Sequence, residues 1–118
     1  DDAAEQFLRE GLRANPHHHE LLYELGRIYQ ENRKDNSRAR NILELAATQW
    51  QGQEAGKKDP EVFVYAQILA ALMQLEWDEK NYDRALEHVR ALERVSPYHD
   101  GMKRWKDDIA AAKAAAAH

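Results

Sequence analysis

The stretch Glu20-Leu-Leu-Tyr-Glu-Leu-Gly-Arg-Ile-Tyr29 is followed by a polar turn and then by Ala39, Leu43 and Ala46. Leu22, Leu25 and Tyr29, with Gly26 between them, recur at three- and four-residue steps, which places them on one stripe of a helix. Ala39, Leu43 and Ala46 make a second stripe. The polar segment between them, centred on Asn32 to Ser37, is too short to join anything but two antiparallel helices. The region from His19 to Ala47 therefore reads as a helical hairpin.

Outward from it, the same periodicity continues. On the N-terminal side Ala4, Phe7, Leu8, Gly11 and Leu12 form an apolar stripe, with Glu5 and Arg9 four apart on the outside, so a first helix is expected over 3–14. Asn15-Pro16 ends it, because proline pushes the preceding residue away from helical dihedrals. The second helix is expected over 18–31. The third, over 37–50 with Asn36 or Ser37 as its cap, turns Ile42, Leu43, Ala46, Ala47 and Trp50 inward. Residues 51–58 hold two glycines and no large apolar side chain, and read as a mobile loop. Asp59-Pro60 is a start signal for a helix over 60–78. That helix is apolar around most of its circumference and is expected to be buried on several sides. A helix over 82–95 turns Tyr82, Ala85, Val89 and Leu92 inward and stops at Ser96-Pro97. The last, over 100–117, uses Met102, Trp105 and Ile109 before running into alanines.

The chain has 118 residues, 43% hydrophobic and 32% charged, enough apolar material for one continuous core, so one domain over 1–118 is expected. A net charge of −4, with both signs interspersed, speaks against a nucleic-acid binder, which needs a basic face. No cysteine means no disulfide framework and no thiolate chemistry. The compartment is unknown, with the cytoplasm as the default. The most apolar run, Val62 to Leu75, is interrupted by Gln67 and Gln74 and is too short to span a bilayer. A chain opening on Asp-Asp without Met reads as an excised piece.

Ala4, Leu8 and Pro16 line up with Ala39, Leu43 and Gln51, and again with Ala85, Val89 and Pro97. Together with Leu25-Gly26 followed by Tyr29, this pattern resembles the tetratricopeptide repeat, a helical-hairpin module of about 34 residues. The surplus length between the second and third matches falls on 51–58, which reads as an insertion. The resemblance covers Ala4 to Ile109 and implies an all-α, right-handed α-α superhelix of about six antiparallel helices. The third unit departs from the pattern, with Met73 where a small residue is usual and Glu76 where an aromatic is usual.

The resemblance implies a non-catalytic module that binds a peptide or partner protein in a concave groove lined by the first helices of the repeats. In that register Tyr23, Arg27 and Gln30 face the groove, followed by Gln67, Ala70, Gln74 and Trp77, then Arg104 and Asp108. The lysines and asparagines of the family's carboxylate clamp are replaced by Tyr and Arg, so no chaperone adaptor is expected. Seven alanines among Ala110 to Ala117 suggest an appended rigid helix or a surface cleared for close packing, and the first helix lacks its usual partner. Self-association through the terminal helices is therefore the alternative expectation. No enzyme is expected, because Ser37, Thr48 and Ser96 are the only aliphatic hydroxyls and two of them sit at helix boundaries. His17, His18 and His19 invite a metal, but adjacent side chains do not share one helical face. They are read as a solvated turn, with no metal or cofactor expected.

Overall fold

The computed structural model describes residues 2–117, and these are helical without strands. Six helices follow in order: α1 (Asp2–Ala14), α2 (His19–Glu31), α3 (Asn36–Glu54), α4 (Val62–Asp78), α5 (Tyr82–Val95) and α6 (Met102–Ala116). The chain divides into two compact units, Asp1–Ile68 and Leu69–His118, with the boundary inside α4.

In the first unit α2 packs on α3 and α1 packs on α2. The two stripes read from the sequence meet: Leu22, Leu25, Gly26 and Tyr29 are buried on α2, and Ala39, Leu43, Ala46 and Trp50 on α3. Gly26 sits where a Cβ atom would lie 2.7 Å from Leu43 Cγ, so its lack of a side chain sets the spacing of the hairpin. Residue α1 buries differs from expectation. Leu8 is buried, whereas Phe7 is 72% exposed and Ala4 is also exposed. A helix covered by one neighbour can bury only a narrow stripe, and Phe7 lies about 100° round from Leu8.

Several helix ends shift, each for a local reason. The α2 helix begins at His19 because His18 caps it, its ring Nδ1 accepting from the Leu21 N–H at 3.4 Å. Asp35, one residue before the expected cap, starts α3 by accepting from the Arg38 N–H at 3.2 Å. Residues 51–54, expected as loop, continue α3. Gly52 in a helix costs about 1 kcal/mol relative to alanine, and the buried Glu54 carboxylate offsets it by bonding Lys57 and the Glu61 N–H. The stretch without regular structure is thus 55–61. The α4 helix begins at Val62 rather than Pro60, since both backbone groups of Glu61 are held by α3: its N–H by Glu54 and its C=O by Trp50 Nε1 at 2.8 Å. The α6 helix begins at Met102 because Gly101 adopts φ 84°, a left-handed conformation that glycine tolerates and a helix excludes.

In the second unit α5 packs on α6, and Ala85, Val89, Leu92, Met102 and Ile109 are buried. Tyr82, expected inside, is half-buried. The alanine run is helical to Ala116, and Lys113 ties it to Asp83 of α5 at 2.5 Å. Leu69, Leu72, Met73 and Leu75 of α4 are buried, as its all-round apolar pattern requires. Among them Glu76 is 0% exposed, with Asn81 Nδ2 donating to its Oε1 at 2.9 Å. Asn81→Ala strips a donor from a buried carboxylate, and a loss of about 1 to 3 kcal/mol is expected in urea unfolding. A midpoint unchanged within error contradicts that role.

The two short turns share a device. Among the described residues, Lys34 (φ 54°) and Lys80 (φ 63°) are the non-glycine residues in the left-handed region, each followed by a residue whose N–H returns to the preceding helix. Asp35 N–H reaches the Tyr29 C=O at 2.9 Å, and Asn81 N–H reaches the Glu76 C=O at 2.8 Å. The second turn makes the same return one residue sooner.

Candidate functional site

On α2 the expected binding residues Tyr23, Arg27 and Gln30 form one connected face. They lie at steps of four and three, which an α-helix stacks on one side. Arg27 Nη1 donates to Gln30 Oε1 at 2.8 Å and its Nη2 pairs with Glu31 Oε1 at 2.7 Å, so the guanidinium is held in place along the helix. Gln30 is buried and Arg27 is half-buried. Burial raises the Tyr23 hydroxyl above its ordinary 10.0, with the Arg27 charge pulling the other way, so it stays a neutral donor at physiological pH. The face offers a ring, a planar cation and an amide, a set suited to charge-assisted hydrogen bonding.

The remaining expected residues are placed on other helices. Gln67 and Ala70 of α4 are half-buried, as is Trp77, and Gln74 is exposed with its Nε2 donating to Asp78 Oδ1 at 2.8 Å. Arg104 is 85% exposed and reaches Asp108 Oδ2 of its own helix at 3.6 Å. The Gln74 and Arg104 pairs are one turn apart on a single helix and exposed, of the kind worth about 0.2 to 0.5 kcal/mol.

Beside this face, two polar clusters were not legible as such. Glu5 of α1 accepts from Tyr29 Oη at 2.9 Å, from Arg33 Nη2 at 2.6 Å and from Arg9 at 3.1 Å, while Arg9 also donates to Tyr29 Oη. Arg33 foremost, then Tyr29, hold Glu5 down at about 2 against its ordinary 4.5, with burial opposing and Arg9 helping. The sign follows. A lowered folded value means the network contributes fully above pH 4.5 and fades as pH falls toward 2. Wild type is expected to melt above Glu5→Gln at neutral pH, and the difference to close across that acid window. Melting curves on both chains check this, and a difference that persists at low pH contradicts it.

No known family model, curated protein or solved structure matches this chain.

The second cluster joins the start of α2 to the end of α3 and the start of α4. Gln53 Nε2 donates to the His17 C=O at 2.8 Å, and Gln53 Oε1 faces His19 Nδ1 at 3.0 Å. His19 Nε2 lies 3.8 Å from Glu61 Oε2. Lys57 holds the Glu54 carboxyl below its ordinary 4.5, burial opposing. Trp50 stacks on Tyr65 at 4.1 Å and 4°, and Gln51 Nε2 donates to the Tyr65 hydroxyl at 2.9 Å. The three histidines thus differ: His17 is exposed, His18 caps α2, and His19 is buried rather than solvated. Sequence carried one signal for this, the position of His19 at the first turn of α2. Its neighbours Gln53 and Glu61 are more than thirty residues away.

Open clefts lie elsewhere. One of about 530 Å³ is bounded by Lys80, Asn81, Tyr82, Asp83 and Lys113, and it carries an ion pair rather than a nucleophile with a base. Among the described residues no helix is long and apolar enough to cross a membrane.

Proposed function

We propose that this chain is a tetratricopeptide-type helical solenoid of right-handed sense, acting without catalysis as a protein-interaction module that takes a peptide or partner protein on the polar face of α2. One observation carries the reading. Tyr23, Arg27 and Gln30 share a face on which Arg27 is already oriented by Gln30 and Glu31, so binding costs little further side-chain ordering. Tyrosine and arginine are the residue types that concentrate binding energy at interfaces. The chemistry favours a partner segment with a carboxylate or backbone carbonyl for the guanidinium and an apolar group for the Tyr23 ring. Gln74, Trp77 and Arg104 belong to the same reading as second-unit contacts, tested one at a time.

Peptides selected on the intact chain from a displayed library supply the probe. Tyr23→Ala and Arg27→Ala are expected to weaken the selected peptide at least tenfold, about 1.4 kcal/mol, with the helical circular dichroism unchanged. Loss confined to substitutions on the outer face of α3, such as Glu44→Ala or Thr48→Ala, overturns the placement.

A second reading, self-assembly, is favoured by Phe7, whose ring is 72% exposed on the uncovered side of α1. An exposed aromatic of this size is an anchor for a second copy. Light scattering over the micromolar range separates the readings. A dimer that Phe7→Glu dissociates supports assembly through α1; a monomer at every concentration removes it.

A further inference from the structure

His19 opens α2 with only 7% of its surface exposed, and its hydrogen bonding can be worked out from the partners. The His17 carbonyl can only accept, so the Gln53 atom facing it at 2.8 Å is the amide nitrogen. The amide oxygen is then the atom 3.0 Å from His19 Nδ1. That oxygen too can only accept, so Nδ1 carries the ring hydrogen. In the neutral ring this leaves Nε2 as a bare lone pair. It is buried and without a hydrogen-bond partner, and it faces the Glu61 carboxylate at 3.8 Å. A buried lone pair opposite an anionic oxygen is satisfied by a positive charge between them, either a proton on Nε2 or a bound cation.

Glu20, next along α2, brings a second carboxylate. Ligand atoms of His19, Glu20 and Glu61 all lie within 4.8 Å of one another. A tetrahedral ion bound at roughly 2.0 to 2.1 Å holds its ligand atoms about 3.3 Å apart, and Glu20 and Glu61 sit on exposed side chains that can close the difference. We infer that His19 Nε2 and the carboxylates of Glu20 and Glu61 bind one divalent transition cation of the zinc class. Gln53 is the positioning residue, its amide oxygen accepting from Nδ1–H and fixing the ring so that Nε2 points at the ion, as an acceptor on the far nitrogen does for metal-bound imidazoles. One imidazole with two carboxylates suits zinc better than magnesium, which retains water and takes oxygen ligands.

The surrounding charge allows it. The N-termini of α2 and α4 each present about half a positive charge, and Lys57 is matched by Glu54. Glu20 and Glu61 outweigh the two helix ends, so the space between the three side chains remains negative.

Zinc chloride alone, titrated calorimetrically into the full chain near neutral pH, tests the site. One zinc per chain is expected, with a raised melting temperature that the same concentration of magnesium does not produce. Glu61→Gln and Glu20→Gln, exposed changes that leave the fold intact, are each expected to lower zinc affinity at least tenfold, while His17→Gln changes it by less than about twofold. Zinc is also expected to shift the Nε2 resonance of His19 in nitrogen NMR, and Gln53→Ala to mix its ring tautomers and weaken binding. No zinc binding by wild type overturns the inference, as does equal affinity in Glu61→Gln. Loss in His17→Gln with retention in Glu61→Gln also overturns it, since the ion then sits on the exposed histidine. An unchanged His19 tautomer in Gln53→Ala removes the positioning role.

Discussion

Trp50→Ala is expected to lower the stability of this chain by about 3 to 5 kcal/mol, the range for truncating a large aromatic in a packed interior. Three separate contacts converge on this side chain. It is 4% exposed, its ring lies parallel to Tyr65 at 4.1 Å, and its Nε1 donates to the Glu61 carbonyl at 2.8 Å. Truncation opens a cavity, ends the stacking and orphans a carbonyl that starts α4. A second variant separates these effects. Trp50→Phe keeps most of the apolar area but removes the donor, so a loss of about 1 to 3 kcal/mol is expected from the carbonyl alone. Urea unfolding followed by circular dichroism measures both. A change of less than about 1 kcal/mol for Trp50→Ala means that the side chain does not join α3 to α4.

Gly26→Leu comes next, with an expected loss of about 1 to 3 kcal/mol or more from overpacking. Even a single Cβ at this position stands 2.7 Å from Leu43 Cγ and 2.8 Å from Leu43 Cδ2, and Leu43 is wholly buried and cannot swing aside. Two effects oppose each other in Gly26→Ala. Alanine is favoured in a helix by about 1 kcal/mol, and the clash is set against it. The clash wins, because relieving it moves one helix against the other along the whole hairpin. Leu43→Ala alone leaves a cavity, yet in the Gly26→Ala background it also relieves the clash. The double variant is therefore expected to be more stable than the two single losses added together. Thermal melts of the four chains decide this, and strict additivity means that the two positions do not touch.

The hairpin from His19 to Ala47 and the closing pair of helices were legible from periodicity, because a stripe at steps of three and four has one reading when caps and prolines bracket it. Helix ends were less legible. The loop expected over 51–58 contributes four residues to α3, and the reason is the Glu54 carboxylate meeting Lys57 and Glu61, partners beyond the window that helix propensity samples. For the same reason Pro60 was expected inside α4 and is not. Phe7 fits the stripe of α1 as well as Leu8 does, and only the number of neighbours around the helix separates them.

The candidate binding side chains divide along the same line. Tyr23, Arg27 and Gln30 could be grouped from sequence because they are close along one helix, and their mutual bonds follow from that spacing. His19, Gln53 and Glu61 could not. The sequence by itself determined the helical class, the hairpin of α2 with α3 and the need for a small residue at Gly26, since each depends on residues that local geometry brings together. Tertiary structure alone decided that His19 is buried, which of its nitrogens carries the hydrogen and which carboxylate it faces. A ring's protonation pattern is set by the donors and acceptors around it, and here they come from the end of α3 and from the segment before α4, far along the chain from His19.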